Sequence, residues 1–331
     1  MKYTLKDIAK ESGLSIATVS RFLCGKRRYY NLKEQNIFNL ANKYHYPYIH
    51  NFYNNGIKLK VSLATNIKKG EYFSSLLSDF HIAAKDSHCE LEIIDIEKND
   101  FLNNKLENLS HTRDGICILF PNLNKNDCNI IESYIDKIPI LSLSPLLDGS
   151  IDTMTFDNYQ GGYIAAKHLH KLGYNNIGII SGDDSVFEAF QRKNGFMDYL
   201  RSNNLNCNWE FKGDYSLESG NKAFLKFQEK NLKNIGIFGV NDYMCFGFMK
   251  LALLSGIKIP EELSIIGFDD TPFCNNSIPE LSSISTNFIE LGNRALSSIE
   301  KSFTNYKRNI NSTNLVPVNL VNRASTRSLD I

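Results

Sequence analysis

Arg21 carries a planar guanidinium whose fork matches the O6 and N7 acceptors of a guanine base. Around it, Thr4, Ser15, Thr18 and Asn31 are neutral donors of the kind that hold phosphate oxygens. Lys26, Arg27 and Arg28 add a sequence-independent attraction to a polyanion, one that weakens steeply with salt. The chemistry on offer is duplex recognition, and it needs an element that presents Arg21. The spacing supplies one. Thr4 caps a first helix with Asp7 near its positive end, and Leu5, Ile8 and Ala9 share one face. Ser12-Gly13 breaks that helix, and Ser15 caps a second running through Leu23. On the second helix Val19, Phe22 and Leu23 face the first, leaving Ile16, Ala17, Ser20 and Arg21 outward. Two short helices joined by a Gly-containing turn are a form that places a helix in the major groove.

Charge supports this reading. Residues 1–60 hold eleven Lys/Arg against three acids, a net +8, whereas the whole chain is +1, so the remainder carries −7. A basic head on an acidic body predicts a polyanionic partner for the head.

The rest of the composition excludes several classes. At 331 residues the chain is long enough for two or three cores. With 42% hydrophobic and 22% charged residues it reads as an ordinary soluble globular protein. No apolar run reaches the length of a membrane span, and Lys6, Asp7, Lys10 and Glu11 interrupt any amino-terminal signal region, so a cytoplasmic location is expected. Seven scattered Cys, never in C-x-x-C spacing, argue against a disulfide framework, a zinc site or any other metal centre.

Leu32, Ile37, Leu40, Ala41 and Tyr44 fall at helical spacing and predict a third helix closing a headpiece over 1–48. Tyr46-Pro47-Tyr48 ends it, and the Asn-rich residues 49–59 form a linker. From residue 60 the pattern alternates apolar strands (60–65, 89–96, 115–121, 139–143, 176–181, 235–240, 263–268, 315–321) with amphipathic helices. That alternation predicts an α/β core of two doubly wound parallel subdomains, one over about 60–156 plus 271–287, the other over about 157–270 plus 288–331. Such sheets bind ligands beyond their strands' carboxyl ends, where Asn66, Asn241-Asp242 and Asp269-Asp270 fall.

The headpiece T-L-K-D-I-A-K-E-S-G-L-S-I-A-T-V-S-R resembles that of the lactose/galactose repressor (LacI/GalR) family. Downstream, Asp157-Asn-Tyr-Gln-Gly-Gly162, Ala165-Ala-Lys-His-Leu-His-Lys-Leu-Gly173, Ile177-Gly-Ile-Ile-Ser-Gly182, Arg192-Lys-Asn-Gly-Phe196, Asn241-Asp242, Ile265-Ile-Gly-Phe-Asp269-Asp270, Pro279-Glu-Leu-Ser-Ser-Ile284 and Leu315-Val-Pro-Val-Asn-Leu-Val-Asn-Arg323 are similar to its core, in order, over nearly the whole chain. The resemblance implies a periplasmic-binding-protein-like core and a homodimer on double-stranded operator DNA, with operator affinity set by a small molecule, usually a sugar or nucleobase, bound between the subdomains. It also implies that Ile16 and Ala17 are the base-reading pair; being apolar, they would meet thymine methyl groups. Two features depart from the family's pattern. The family follows its third helix with Tyr-x-Pro-Asn and a hinge helix whose Leu opens the minor groove. Here residues 46–55 lack both the Asn and the Leu, leaving Phe52 or Ile49 as the wedge. The third helix also starts about three residues late. With Tyr30-Asn31-Leu32-Lys33-Glu34, these features resemble the galactoside and multiple-sugar repressors and point to a galactoside.

Within that pocket Arg192 and Asp269 lead, because a donor fork and an acceptor-only carboxylate together clamp vicinal hydroxyls. Asn66 and Asn241 end strands; Tyr72, Phe73, Tyr215 and Phe288 offer rings to a pyranose face; Ser144 stands where sugar-binding members tend to carry Asp. An enzyme is not expected, since phosphate-loop, nucleophile-elbow, dinucleotide-binding and H-E-x-x-H motifs are all missing, and no cofactor is implied. A transported-sugar receptor would need a secretion signal in place of the helix pair. No heptad repeat follows Arg323, so a dimer is expected rather than a coiled-coil tetramer.

Overall fold

The computed structural model describes residues 3–23, 36–37, 40–41, 43–44, 46, 58–146, 151–304 and 312–328. Of the expected 49–59 linker, residues 49–57 lie outside them, as does Leu32, and Leu59 already begins a strand.

The headpiece opens with α1 (Leu5–Ser12) and α2 (Ile16–Leu23). The Asp7 carboxylate reaches back to accept from Thr4 N at 2.8 Å and Thr4 Oγ1 at 2.7 Å, closing a capping box. These bonds favour its charged form and hold its pKa below the ordinary carboxyl range. Gly13 ends α1 at φ 67°, a left-handed position that a residue without Cβ adopts at little cost. Ser15 Oγ then accepts from Thr18 N at 3.1 Å to start α2. Ile8, Ala9, Val19, Phe22 and Leu23 form one buried cluster with Ile37, Leu40 and Ala41 of the third segment.

Two six-stranded sheets follow. The first contains β1 (Leu59–Thr65), β2 (Cys89–Asp95), β3 (Gly115–Leu119), β4 (Ile140–Ser142), β5 (Thr153–Phe156) and β11 (Thr313–Val316), in the order β11-β5-β4-β3-β1-β2. The second contains β6 (Asn176–Ser181), β7 (Cys207–Lys212), β8 (Ile235–Gly239), β9 (Leu263–Asp269), β10 (Ser282–Ser285) and β12 (Asn319–Val321), in the order β12-β10-β9-β8-β6-β7. Helices α3 (Glu71–Lys85), α4 (Leu106–Thr112) and α5 (Lys125–Glu132) accompany the first set of strands; α6 (Asn158–Lys171), α7 (Phe187–Ser202), α8 (Leu217–Gln228) and α9 (Asp242–Leu254) accompany the second. The long α10 (Phe288–Thr304) precedes β11. No helix among the described residues is long and apolar enough to cross a membrane.

Three strands escaped the apolar pattern. β5 (Thr-Met-Thr-Phe) and β10 (Ser-Ser-Ile-Ser) are mostly buried but hydroxyl-rich, and β7 is an edge strand of alternating character. The single strand expected over 315–321 is two. Pro317, which has no N–H to donate to a ladder, separates β11 in one sheet from β12 in the other. β12 pairs antiparallel with β10, so the second sheet is not wholly parallel.

The chain divides into one unit of Met1–Lys68, Leu76–Thr155 and Ile289–Asn314 and another of Lys69–Ser75, Phe156–Phe288 and Leu315–Ile331. This corrects the expected assignment of 271–287 and of Ile289–Asn314, whereas Leu315–Ile331 falls in the second unit. β10 pairs with β9 and therefore stays with the second unit. α10 belongs to the first because Ile299 fills the space over Gly115 and Gly292 lies against Ala83 and Phe80.

Within the second unit α6 and α7 cross at backbone contact. A Cβ on Gly162 would lie 1.8 Å from the Arg192 carbonyl oxygen, and one on Gly195 would lie 1.9 Å from that of Tyr159. No side chain fits either position. Gly195→Ala is expected to force the helices apart and cost about 1–3 kcal/mol, read as a lower melting temperature. An unchanged melt would show that the crossing tolerates expansion.

Candidate DNA interface and effector site

On the headpiece Thr4, Ser15, Ala17 and Arg21 are exposed, Ile16 is 46% exposed, and Thr18 and Ser20 are half-buried. An isoleucine this accessible on a helix whose other large apolar side chains are buried is available for apolar contact with a partner. Arg21 Nε donates to Ala17 O at 3.1 Å, so the guanidinium lies along the helix beside Ala17. Ser15 Oγ and Thr18 Oγ1 are 2.8 Å apart, which commits both hydroxyls to the helix start. Lys26, Arg27, Arg28 and Asn31 lie outside the described residues.

Of the expected effector residues, Asn66 and Ser144 belong to the first unit. Asn66 follows β1 and is half-buried; Ser144 is buried, and its Oγ has no hydrogen-bond partner among the described residues. The other seven lie in the second unit, and several of them meet.

In the second sheet β7 and β8 lie on opposite sides of β6, so the strand order reverses between β6 and β8. A crevice opens beyond the carboxyl ends at such a reversal. Asn241 follows β8 and caps α9, its Oδ1 accepting from Met244 N at 3.2 Å, while its Nδ2 donates to Tyr215 O at 3.0 Å. Tyr215 sits at φ 70°, and its ring covers Gly182, where a Cβ would approach the phenol oxygen to 2.5 Å.

Arg192, on α7, is buried and held from several sides. Its Nε donates to Asn158 Oδ1 at 2.8 Å and its Nη1 to Val240 O at 2.7 Å, and its guanidinium carbon lies 3.6 Å from the Phe268 ring centroid. Stacking on an aromatic face is the geometry in which a guanidinium tolerates lost water. Nη1 lies 3.2 Å from Asp269 Oδ1, an ion pair, yet that oxygen has no aligned hydrogen bond. Asp269 therefore keeps acceptor capacity in a buried place. Burial raises its pKa to about 7, the Arg192 charge working in the opposite direction and the neighbouring Asp242 adding to the rise. Its backbone is also unusual, at φ 104°. A non-glycine residue there is strained by about 1–3 kcal/mol, and such outliers persist only where surrounding contacts enforce them.

The rings gather nearby. Tyr72 packs edge-on against Phe73 at 5.4 Å and Phe288 at 5.3 Å, and Phe288 against Phe156 at 5.5 Å. Phe288 is buried between its neighbours, whereas Tyr72 and Phe73 keep part of their surface open. The charges of Asp269, Arg192 and Glu188 are all felt at the Tyr72 hydroxyl, and those of Arg192 and Glu188 at Tyr215. Glu188, Asn158 and Phe268 thus join a group that the sequence reading had not included. Glu188 precedes Arg192 by one helical turn, the only hint it offered.

The arrangement provides one donor fork, buried carboxylate acceptors and accessible ring faces at the end of a sheet. It can bind a small polar molecule with an apolar face.

The model of the periplasmic binding protein-like domain matches residues 166–326. Over full length the chain is 28% identical to the transcriptional regulator DegA of Bacillus subtilis, covering 100% of each. It is 24% identical to the transcriptional repressor PurR of Haemophilus influenzae, covering 98% of this chain and 99% of that one. Its fold matches the crystal structure of the Lac repressor dimer bound to operator and an anti-inducer, with TM-score 0.74 at 22% identity, over 99% of this chain and 100% of that one. The Lac repressor shares the fold, and the curated relatives are named as helix-turn-helix-type regulators of transcription. Over its full length the chain is thus similar to DNA-binding regulators of transcription, in keeping with its resemblance to the LacI/GalR family.

Proposed function

We propose that this regulator is a cytoplasmic, homodimeric repressor of sugar-utilisation genes, released from or held on its operator by a neutral sugar, with galactosides the leading class. The observation that carries the effector reading is the buried Arg192–Asp269 pair beside open ring faces. Arg192 donates to a hydroxyl, Asp269 Oδ1 accepts from its neighbour, and Tyr72, Phe73 or Tyr215 covers the C–H face of a pyranose. Asn66, Ser144, Asn241 and Phe288 complete the candidate set. Two carboxylates, Asp269 and Glu188, against one already paired cation make the group unfavourable for a phosphorylated or carboxylated ligand. The flat rings Tyr72 and Phe73 also suit a planar nucleobase, a second reading.

For DNA, the exposed Ile16, Ala17 and Arg21 on α2 would read base edges, with Ser20 beside them. Thr4, Ser15, Thr18, Asn31, Lys26, Arg27 and Arg28 would hold the backbone. The dimer surface proposed is an apolar groove of about 530 Å³ on the second unit, lined by Phe246, Leu253, Leu254, Phe273 and Ile278, with Ile278 90% and Leu254 75% exposed. So large an accessible apolar patch is costly on a monomer, and the Lac repressor with the same fold is a dimer.

Three outcomes test these proposals. In a thermal-shift and calorimetry panel of galactose, lactose, melibiose, raffinose, galactose 1-phosphate and hypoxanthine, an unphosphorylated galactoside should bind. Arg192→Ala should weaken it at least tenfold, about 1.5–3 kcal/mol for a charged hydrogen bond, with operator binding retained. Because hydroxyls need the ionised Asp269, and its pKa is raised to about 7, affinity should fall several-fold from pH 8 to pH 6. Binding of hypoxanthine alone would move the reading to a base. In gel shifts on genomic fragments, Arg21→Ala should lose about 1–3 kcal/mol of specific binding and much less non-specific binding; equal losses would make Arg21 a phosphate contact. Ile278→Asp should convert the dimer to monomer in sedimentation velocity, and a persisting dimer would move the interface elsewhere.

A further inference from the structure

The strained backbone at Asp269 needs something to enforce it, and the structure contains a buried anchor with no other evident purpose. Asp242, the first residue of α9, is 1% exposed. Its Oδ2 accepts from Thr271 N at 2.8 Å and Thr271 Oγ1 at 3.1 Å. Its Oδ1 accepts from Ser283 Oγ at 2.7 Å, and that same Ser283 Oγ accepts from Asp270 N at 3.1 Å. Both amides after Asp269 are therefore tied to one carboxylate, directly at Thr271 and through Ser283 at Asp270. On the other side, the Asp269 carbonyl accepts from Thr286 Oγ1 at 2.9 Å. Between these ties Asp269 and Asp270 hold φ values of 104° and 57°. Outside them, Arg323 lies 2.7 Å from Asp270 Oδ1 and donates to Asn275 Oδ1 and Leu281 O, both at 2.8 Å.

We propose that Asp242 is a positioning residue: with Ser283 it holds the two amides that follow Asp269, fixing the left-handed backbone that points the Asp269 carboxylate at Arg192. The proposal rests on the reading of Asp269 as an effector ligand for its consequence, though not for its geometry. A buried carboxylate suits the task because it accepts several bonds at once. Burial raises both carboxyls; the Asp242 charge raises Asp269 further, and the Asp270 charge raises Asp242. The ionisable groups facing them are Arg192 of α7, Tyr72 of α3, Asp270 and Arg323 at the turn, Cys274 just beyond it, and Cys245 on α9 itself.

The test follows the Asp269 carboxyl carbon by NMR in full-length protein labelled with ¹³C at aspartate Cγ, its signal assigned by loss in Asp269→Asn. In the native protein Asp269 should titrate well above the usual carboxyl range. Asp242→Asn should lower its midpoint by about one pH unit, since the like charge is gone. A crystal structure of that variant should show residue 269 outside the left-handed region and Arg192 beyond ion-pair distance. Ser283→Ala keeps the Asp242 charge but cuts the tie to Asp270 N; it should move the Asp269 midpoint and backbone as well, and it decides the matter alone if Asp242→Asn does not fold. A purely structural role for Asp242 would lower the melting temperature and leave residue 269 in the left-handed region with Arg192 at ion-pair distance, whatever the loss of charge does to the midpoint. An unmoved midpoint and φ in the folded variants would overturn the proposal. Failure of the effector reading shows separately, as native ligand affinity in Asp269→Asn.

Discussion

Arg192 and Asp269 form an ion pair in a place with little water, and much of the second unit is arranged to make that tolerable. Moving two charges from water into a protein costs several kcal/mol each, and their attraction offsets this only with good geometry and further bonds. Here the guanidinium has a carbonyl, a side-chain amide and an aromatic face in addition to the carboxylate. The carboxylate is less well served, with an oxygen left unbonded and a pKa shifted upward. An asymmetry of this kind makes poor sense as a device for stability, because a well-packed apolar pair would do as well. On the reading proposed above, the unbonded oxygen is the acceptor offered to the effector.

The pair also explains why the helices beside it are built from glycine at two positions. Arg192 reaches Asn158 only because α7 lies directly on α6, and it lies there only because Gly162 and Gly195 present no side chain. Sheet order does the rest. The reversal between β6 and β8 places the ends of α7, β8 and β9 around a common crevice, so residues nearly eighty positions apart contribute to one small cluster. The headpiece works on a different scale. Its eight described core residues form a small cluster beneath a surface that must stay open for a partner, and its charge is opposite to that of the rest of the chain.

Much of this was legible in the sequence because apolar periodicity and turn residues report local structure directly. α1 and α2 follow the Thr4, Gly13 and Ser15 signals almost residue for residue, and β6 spans the Ile-rich run that announced it. What escaped was what depends on burial of polar groups. β10 reads as a serine-rich turn, and only the structure shows Ser282 bonded to the segment around Asn322–Thr326 and Ser283 to Asp242. Glu188 stands in the first turn of α7, a position where an acid ordinarily complements the helix dipole, so its type and place carry no signal of a site. The exchange of segments between units was likewise invisible, since it turns on which sheet a short strand joins. Pro317 marks the crossing without saying to which side each half goes.

Asp242 shows how far such dependence runs. Its Oδ1 lies where a Cβ on Gly267 would come within 2.2 Å, so β9 must carry glycine there for the carboxylate to reach Ser283. Asp242 and Ser283 then hold the amides of Asp270 and Thr271, those hold Asp269 in a conformation it would otherwise leave, and Asp269 meets Arg192, which stands where Gly162 and Gly195 allow. Each step is a steric or electrostatic requirement on the next, and the series begins at Gly267 and ends at Gly162 and Gly195, three glycines with no chemistry of their own. The chemistry of the site is thus set as much by where side chains are absent as by the charges that remain. A regulator that exchanged Asp269 for an uncharged residue would lose its acceptor and be left with a buried, half-paired arginine, the costlier of the two defects at about 3–5 kcal/mol. That cost ties the stability of the second unit to the proposed ligand chemistry, so that a change at Arg192 or Asp269 alone lowers both.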